Sequence, residues 1–170
     1  MVDVGSASTG LVVLRGNSGS GKSTVARTLQ DRQARRLAVV SQDVLRRGVL
    51  RVPDEPDNPA VGLVDVVARF ALDRGMHVVV EGIMPGRLYG SMLTSLAADH
   101  AGTTRFFRFD LPFDETLRRH DARGCQDFGE HELRQWWRDD DALHGCDERT
   151  IGPEHDLDAV VHLIATTMGW

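Results

Sequence analysis

The sequence predicts an α/β protein: a three-layer α/β/α sandwich around a mostly parallel sheet of about five strands. Short apolar runs, typical of buried strands, alternate with longer segments of helical periodicity. A glycine-rich stretch, 16–24, lies between the first such strand and the first helix. The length of 170 residues suits one domain with its own core. We therefore expect residues 10–170 to form a single domain and residues 1–9 to be a loose tail.

The composition is that of a globular protein, with 41% hydrophobic and 26% charged residues. The net charge of −5 argues against a global basic field for nucleic acid or a membrane surface. No apolar run approaches the roughly 18 residues of a spanning helix, and the N-terminus lacks a secretory signal pattern. We expect a cytoplasmic protein with Cys125 and Cys146 as free thiols. Their spacing with His131 and His144 matches no standard zinc pattern.

The glycine-rich stretch matches the phosphate-binding P-loop, G-x-x-x-x-G-K-[ST], at every fixed position. Its residues are Gly16, Asn17, Ser18, Gly19, Ser20, Gly21, Lys22, Ser23 and Thr24. The glycines let successive backbone N–H groups surround the phosphates at the start of the next helix, expected over 22–36. Lys22 is expected to bridge the β- and γ-phosphates, and Ser23 to bind Mg²⁺. The motif predicts a site for Mg²⁺ with ATP or GTP.

The apolar run 37–40 predicts the second strand, and Asp43 follows its end. In open parallel sheets, ligands collect beyond the carboxyl ends of the strands, which places Asp43 near the phosphates. Asp is also a favoured N-cap for the helical segment that follows, and both roles can hold at once. Arg46 shares a helical face with Asp43, so the pair either orients a substrate hydroxyl and holds an anion or is a surface ion pair. Arg47 and Arg51 are weaker candidates for the same basic rim.

The third strand is expected over 76–82, after a proline-broken acidic loop and a buried helix over 60–74. Its apolar run closes with Glu81, which is similar to a Walker B element. Glu81 is expected to hold the water shell of Mg²⁺ or to orient the acceptor; the alternative is an ordinary acid at a strand end. Arg87 and Tyr89 stand just beyond and either reach the acceptor or lie on the surface.

The remaining pattern continues the alternation of helix and strand. A helix is expected over 87–98, a strand over 104–110, a short last strand within 149–153 and a final helix over 156–168. The loop after the last strand is expected to border the adenine. The acidic run 139–141 is expected to be solvated.

Residues 112–139 form the expected lid, because helices over 113–123 and 130–138 flank a glycine-bounded loop and are rich in arginine. An arginine of such a lid stabilises the charge on the transferring phosphoryl group. The candidates are Arg119, Arg123 and Arg138. For each of them the alternative is a solvated helix face.

With these motifs, the sequence resembles the small P-loop kinases of the nucleoside-monophosphate-kinase-like group. Within it, the chain looks closest to the branch of the phage-type polynucleotide kinase domain, the zeta toxins and chloramphenicol phosphotransferase, and it is similar to bacterial ATP-binding kinases. The matching features are the P-loop, Asp43 with Arg46, the strand end at Glu81 and Gly82, and the lid arginines. The resemblance implies a P-loop NTPase fold with a helical lid. In polynucleotide kinases the residue matching Asp43 is the catalytic base, and the one matching Arg46 lies near the acceptor phosphate.

The predicted activity is transfer of the γ-phosphoryl group of ATP to a hydroxyl of a small molecule. Lys22, Asp43 and an arginine, Arg119 or Arg123, are the expected catalytic residues. Asp43, Arg46 and Glu81 are expected to face the acceptor, and Ser23 and Glu81 the metal. The alternatives are a polynucleotide 5′-kinase, which the acidic net charge disfavours, a regulatory nucleotide-binding module and a toxin acting on a sugar nucleotide. A monomer and a homodimer are both compatible with the sequence.

Overall fold

The computed structural model describes residues 3–33, 36–122 and 129–170. Its five strands form one sheet, in the order β2-β3-β1-β4-β5, and every neighbouring pair runs parallel. The predicted parallel sheet is therefore confirmed. The strands are β1 (Gly10–Gly16), β2 (Leu37–Ser41), β3 (His77–Gly82), β4 (Thr103–Phe109) and β5 (Glu148–Ile151).

β1 is the central strand, and its residues 11–14 are at most 1% exposed. Both faces of a parallel sheet are covered by helices, so an uninterrupted apolar run is stable there. Successive side chains point to opposite faces. Accordingly Leu11 and Val13 belong to one hydrophobic cluster, and Val12 and Leu14 to the other.

Two pairs of helices cover the two faces. The helices are α1 (Lys22–Gln33), α2 (Ala60–Asp73), α3 (Gly86–Asp99), α4 (Phe113–Ala122), α5 (Glu130–Trp136) and α6 (Leu157–Met168). α1 and α6 contribute Val25, Leu29 and Val161 to one cluster, while α2 and α3 contribute Val64 and Leu93 to the other. The three-layer sandwich is thus confirmed, and none of the helices within the described ranges is long and apolar enough to cross a bilayer.

The segment after β2 is π-helical over Val44–Leu50 and ends at Arg51, whose φ of 55° is left-handed. Asp43 stands at its N-cap position but makes no capping hydrogen bond with its side chain. Its backbone is already helical (φ −67°, ψ −39°), whereas a capping residue normally has extended backbone. The capping interpretation of Asp43 is therefore wrong, and its carboxylate serves other partners.

The described part of the N-terminal segment is packed rather than loose. Val4 is only 4% exposed and forms a parallel bridge with His100. The backbone N–H of Gly5 donates to Asp73, and the Thr9 hydroxyl is 2.9 Å from the His100 ring. The expectation of a loose tail is wrong for this segment, because one apolar side chain in a mostly polar stretch reaches the core beside α2 and α3.

Candidate active site

The P-loop runs from the end of β1 into α1 with its three glycines at positive φ: 140° at Gly16, 79° at Gly19 and 101° at Gly21. Two of these glycines are also places of close approach. A Cβ on Gly16 would overlap the carbonyl oxygen of Phe109, and one on Gly19 would lie 2.9 Å from that of Thr116. The end of β4 and the helix α4 therefore fix the shape of the loop from outside.

Lys22 is 6% exposed, and its ammonium lies against the P-loop. Its Nζ donates to the backbone oxygen of Asn17 at 2.7 Å and to Ser20 Oγ at 3.0 Å. Both partners are neutral oxygens. A phosphate oxygen would accept a stronger hydrogen bond from Lys22, because the donor and the acceptor would then both be charged. The ammonium is thus held beside the loop amides that would bind a phosphate.

Ser23 and Glu81 meet at the sheet edge above β3. Ser23 Oγ donates to Glu81 Oε2 at 2.9 Å, and Glu81 is 3% exposed. β1 and β3 are paired with Leu14 opposite Glu81, which brings the strand end beside the P-loop. These hard oxygens fit Mg²⁺, which binds through one or two protein oxygens together with substrate phosphates. The described residues contain no group of three or more His, Cys, Asp or Glu side chains that could hold a metal ion by themselves.

The Asp43 carboxylate is held by two arginines. Its Oδ1 accepts a hydrogen bond from Nη2 of Arg46 at 3.0 Å and forms an ion pair with Nε of Arg47 at 3.1 Å, and its side chain is 52% exposed. The predicted Asp43–Arg46 pair is therefore present. Arg46 is buried and also donates through Nη1 to the backbone oxygen of Val52 at 3.2 Å.

One cavity of about 190 Å³ brings seven of the predicted site residues together. A second cavity of about 350 Å³ adjoins it, and the two share Arg47 and Ile83 as walls. Arg46 and Arg87 line the second cavity. Tyr89 is fully buried and reaches neither. The first cavity is lined by Ser18, Gly19, Gly21, Lys22, Ser23, Asp43, Arg47, Glu81, Gly82, Ile83 and His120.

Among the lid arginines, Arg119 touches the P-loop. Its Nη1 donates to the backbone oxygen of Ser20 at 3.2 Å, and its Nε donates to Glu115 at 2.6 Å. Hydrogen bonds from Arg118 and Arg119 lower the pKa of Glu115 to about 2, so this anchor stays ionised at neutral pH. Arg123 lies outside the described residues.

Arg138 follows α5, and the structure joins its backbone to the P-loop. The side chain of Asn17 accepts from the N–H of Arg138 at 2.9 Å and donates to its C=O at 2.8 Å. We call this pair of hydrogen bonds the Asn17 clasp. Sequence reasoning missed it, because Asn17 occupies a variable position of the motif.

His120 is a second residue that sequence reasoning missed. It is 5% exposed and lines the cavity that contains Lys22 and Asp43. A signal for it existed: Thr116 and His120 lie four residues apart on α4, so they share a face of an otherwise strongly charged helix. Both are buried in the structure, and that face is turned towards the P-loop.

A third cavity, of about 300 Å³, lies on the other side of the P-loop. Its walls include Gly21, Thr24 and Arg118, and the loop between β5 and α6 closes it with His155 and Asp156. This is the loop expected to border the adenine. Its place beside the first turn of α1 suits the base of a nucleotide whose phosphates lie on the P-loop.

A buried ion network surrounds Arg15, the residue directly before the P-loop. Arg15 is 1% exposed and donates to Glu148 at 2.7 Å, to Asp141 at 2.8 Å and to the backbone oxygen of Met84 at 3.0 Å. Asp141 also accepts from the N–H of Gly86. The expectation of a solvated acidic run is therefore wrong for Asp141, which links the segment after α5 to β1 and to the start of α3.

This arrangement defines a P-loop kinase fold: a five-stranded parallel sheet with the phosphate loop after its central strand, an acid at each of two neighbouring strand ends and an arginine-bearing helix over the loop. The family model for the AAA domain matches residues 11–139, more than half of the chain. The chain belongs to this family. The predicted resemblance to small P-loop kinases is confirmed.

Solved structures share this fold. An APS kinase of Mycobacterium tuberculosis, in complex with AMPPNP and APS, has a TM-score of 0.71 and 19% identity over 99% of each chain. A gluconokinase from Sinorhizobium meliloti has a TM-score of 0.67 and 18% identity, over 99% of this chain and 94% of that chain. A sugar kinase from Janibacter has a TM-score of 0.64 and 17% identity over 93% of each chain. At these identities the similarity concerns the fold. The comparison with curated proteins found no match.

Proposed function

We propose that the protein is an ATP-dependent phosphotransferase that moves the γ-phosphoryl group to a hydroxyl of a small molecule. One observation carries this proposal: the cavity beside the P-loop adjoins a second, larger cavity across Arg47 and Ile83. A nucleotide hydrolase needs only water as its second reactant, whereas a transferase needs a site for an acceptor. The structural similarity to kinases of small molecules supports the same activity.

Positioning and charge stabilisation account for most of the catalysis of phosphoryl transfer. Lys22 and the loop amides hold the β- and γ-phosphates. Bound through Ser23, with Glu81 in its outer shell, Mg²⁺ would neutralise phosphate charge. Arg119, or Arg123 from outside the described residues, would stabilise the charge on the group in transfer.

Asp43 orients the acceptor hydroxyl and takes its proton. The acceptor oxygen forms a bond to the γ-phosphorus while the bond from that phosphorus to the bridging oxygen breaks, and ADP leaves with the bridging oxygen. The proton passes from the hydroxyl to the Asp43 carboxylate and then to solvent. Arg46 and Arg47 hold Oδ1 of this carboxylate, so Oδ2 is the atom assigned to the proton.

The first experiment is a screen for the acceptor. Labelled γ-phosphate ATP is incubated with the protein and with pools of hydroxyl-bearing metabolites, antibiotics, nucleosides and short oligonucleotides. A labelled small molecule supports the proposal. Loss of ATP without any labelled acceptor would favour a regulatory NTPase module, and a labelled oligonucleotide would favour a polynucleotide kinase.

Two substitutions then test the roles in the site. Lys22→Ala is expected to abolish turnover. Asp43→Asn keeps an oxygen for the two arginines but accepts no proton, so it should lower kcat by about 10²- to 10⁴-fold with little change in ATP affinity. Asp31→Asn, at an exposed position of α1, is the matched control. Full activity of Asp43→Asn on the identified acceptor would show that the base is elsewhere.

A further inference from the structure

The second cavity concentrates positive charge in an acidic protein. We call it the arginine pocket. The chain carries a net charge of −5, yet four arginines and only two acids line this cavity, which leaves +2 on its walls. The arginines come from three separate parts of the fold: the π-helical segment, the start of α3 and the segment after α5. They are Arg46, Arg47, Arg87 and Arg138.

The two acids of the pocket do not neutralise its arginines by direct contact. Asp54 Oδ1 accepts from the hydroxyl of Tyr89 at 3.0 Å and from Nδ2 of Asn58 at 3.1 Å, which are neutral donors. Within the described ranges, neither Asp54 nor Glu55 forms an ion pair, and the same holds for the guanidinium groups of Arg87 and Arg138.

Arg46 contains a buried nitrogen donor that forms no hydrogen bond within the described structure. The residue is 8% exposed, and its Nε has no hydrogen-bond partner in the described structure. A buried donor without a partner is costly, because it has lost water and gained nothing. The other two nitrogens of this guanidinium are engaged by Asp43 and by the backbone oxygen of Val52, which fixes the plane of the group.

Arg47 connects the arginine pocket to the phosphate cavity. Its guanidinium lies 4.9 Å from the centre of the Trp136 ring, and its Nε forms an ion pair with Asp43 Oδ1 at 3.1 Å. A cation–π contact and an ion pair hold the group in place at the boundary of the two cavities. A molecule that binds Arg47 from the pocket side is therefore next to Asp43.

We propose that the phosphoryl acceptor is a small molecule that carries an oxyanion, a phosphate, sulfate or carboxylate, besides its reacting hydroxyl. The oxyanion occupies the arginine pocket, and the hydroxyl points across Arg47 to Asp43. Planar guanidinium groups suit all three anions, because each presents two oxygens to the fork of N–H donors. A volume of about 350 Å³ fits a compound of that size. The assignment of the acceptor rests on the proposed function, whereas the binding of an oxyanion does not.

The first test is isothermal titration with inorganic phosphate of the Lys22→Ala variant, in which the P-loop lacks its lysine. We expect one phosphate site to remain. Adding Arg87→Gln or Arg138→Gln should raise its Kd about tenfold each, since about 1.4 kcal/mol corresponds to a factor of ten. Arg27→Gln, which removes the same charge from an exposed position of α1, should leave Kd unchanged. Circular dichroism spectra establish that each variant is folded.

Absence of phosphate heat in Lys22→Ala, or equal Kd values in the parent and both arginine variants, would overturn the oxyanion site. This result is independent of catalysis. If the wild-type protein neither binds ATP nor labels any acceptor, the proposed function is wrong. The phosphate titration still tests whether the arginine pocket binds an oxyanion.

The second test uses the wild-type protein and labelled ATP with four pools of polyols of matched carbon skeleton: neutral, phosphate-bearing, sulfate-bearing and carboxylate-bearing. Label is expected in an anionic pool, and the pool identifies the anion. For that acceptor, Arg87→Gln should raise KM about tenfold with little change in kcat, whereas Arg27→Gln should change neither. Label confined to the neutral pool, or a KM insensitive to Arg87, would contradict the proposal.

Discussion

The Asn17 clasp offers a quantitative test of how the segment after α5 is held to the P-loop. Asn17→Ala removes both hydrogen bonds to the backbone of Arg138, which are 2.8 and 2.9 Å long. A net contribution of about 0.5–1.5 kcal/mol for each bond gives a loss of about 1–3 kcal/mol. Both bonds are exposed, so the lower half of this range applies. A loss of about 1–2 kcal/mol corresponds to a roughly 5- to 30-fold increase in local opening.

Hydrogen exchange followed by mass spectrometry measures this opening directly. In Asn17→Ala, peptides that contain the N–H of Arg138 should exchange about 5- to 30-fold faster, while peptides of β1 and β3 should not change. The Kd of an ATP analogue should stay within a few fold, because Lys22 contacts the backbone oxygen of Asn17, which alanine retains. The Kd of phosphate in the arginine pocket should rise, because Arg138 is no longer fixed.

Ser18→Ala is the matched control, since it lies in the same loop and, within the described ranges, its side chain makes no hydrogen bond to the segment after α5, in contrast to Asn17. Unchanged exchange at Arg138 in Asn17→Ala would refute the clasp. An equal increase in Ser18→Ala would show that any side-chain truncation in the loop has this effect and that the two hydrogen bonds are not its cause.

Three further predictions concern stability and binding. Arg15→Met leaves two buried or half-buried carboxylates without their cation and should lower the free energy of unfolding by about 3 kcal/mol in urea, whereas Arg105→Met at an exposed position should have little effect. Burial lowers the pKa of His77, with a further effect of Arg36, and of His100. Below about pH 6.5 the unfolded chain therefore binds more protons than the folded protein. The urea concentration at the midpoint of unfolding should decrease as the pH is lowered from 8 to 5, and a midpoint that does not change with pH would contradict this. Gly16→Ala places a Cβ on a backbone carbonyl of β4 at a φ of 140° and should abolish ATP binding in calorimetry; wild-type affinity would contradict the close approach.

The sheet and the P-loop could be predicted because their signals are local. The run 11–14 is apolar without alternation, which is expected only of a strand covered on both faces. The glycines that follow it occupy fixed positions of a known pattern, and three of them have the positive φ for which glycine is needed. The acids at 43 and 81 followed from a rule about strand ends, so they needed only the predicted ends of two strands and no knowledge of distant contacts.

The contacts that tie the site together could not be predicted in this way. Arg15 is a charged residue within a strand, and its partners Asp141 and Glu148 lie 126 and 133 residues further along the chain. Nothing near position 15 indicates that two carboxylates will meet it there. Asn17 and Arg138 are similarly separated by 121 residues. Such pairs depend on the path of the segment after α5, which no local pattern determines.

The pairing at Asp43 shows where local reasoning stops. Spacing predicted that Arg46 would share a face with Asp43, and the two side chains do meet at 3.0 Å. Arg47, four residues after Asp43, lies on the same face and forms an ion pair with the same oxygen at 3.1 Å. Spacing could not predict that the guanidinium of Arg47 would also lie 4.9 Å from the centre of the Trp136 ring. Trp136 lies some 90 residues away in sequence, so the boundary between the two cavities is a tertiary feature.

This boundary also explains why the charge of the acceptor should determine the specificity of the site. Asp43 uses one nitrogen of Arg46 and one of Arg47, so an oxyanion in the arginine pocket can bind the remaining donors without displacing the carboxylate. Arg87 and Arg138 add further donors on the walls of the pocket. A neutral acceptor would give these guanidinium groups no anion to bind, and sites with such polar groups discriminate strongly against substrates that cannot satisfy them. Binding of the anion and orientation of the base therefore rely on the same two guanidinium groups, and a substitution at either arginine should change both.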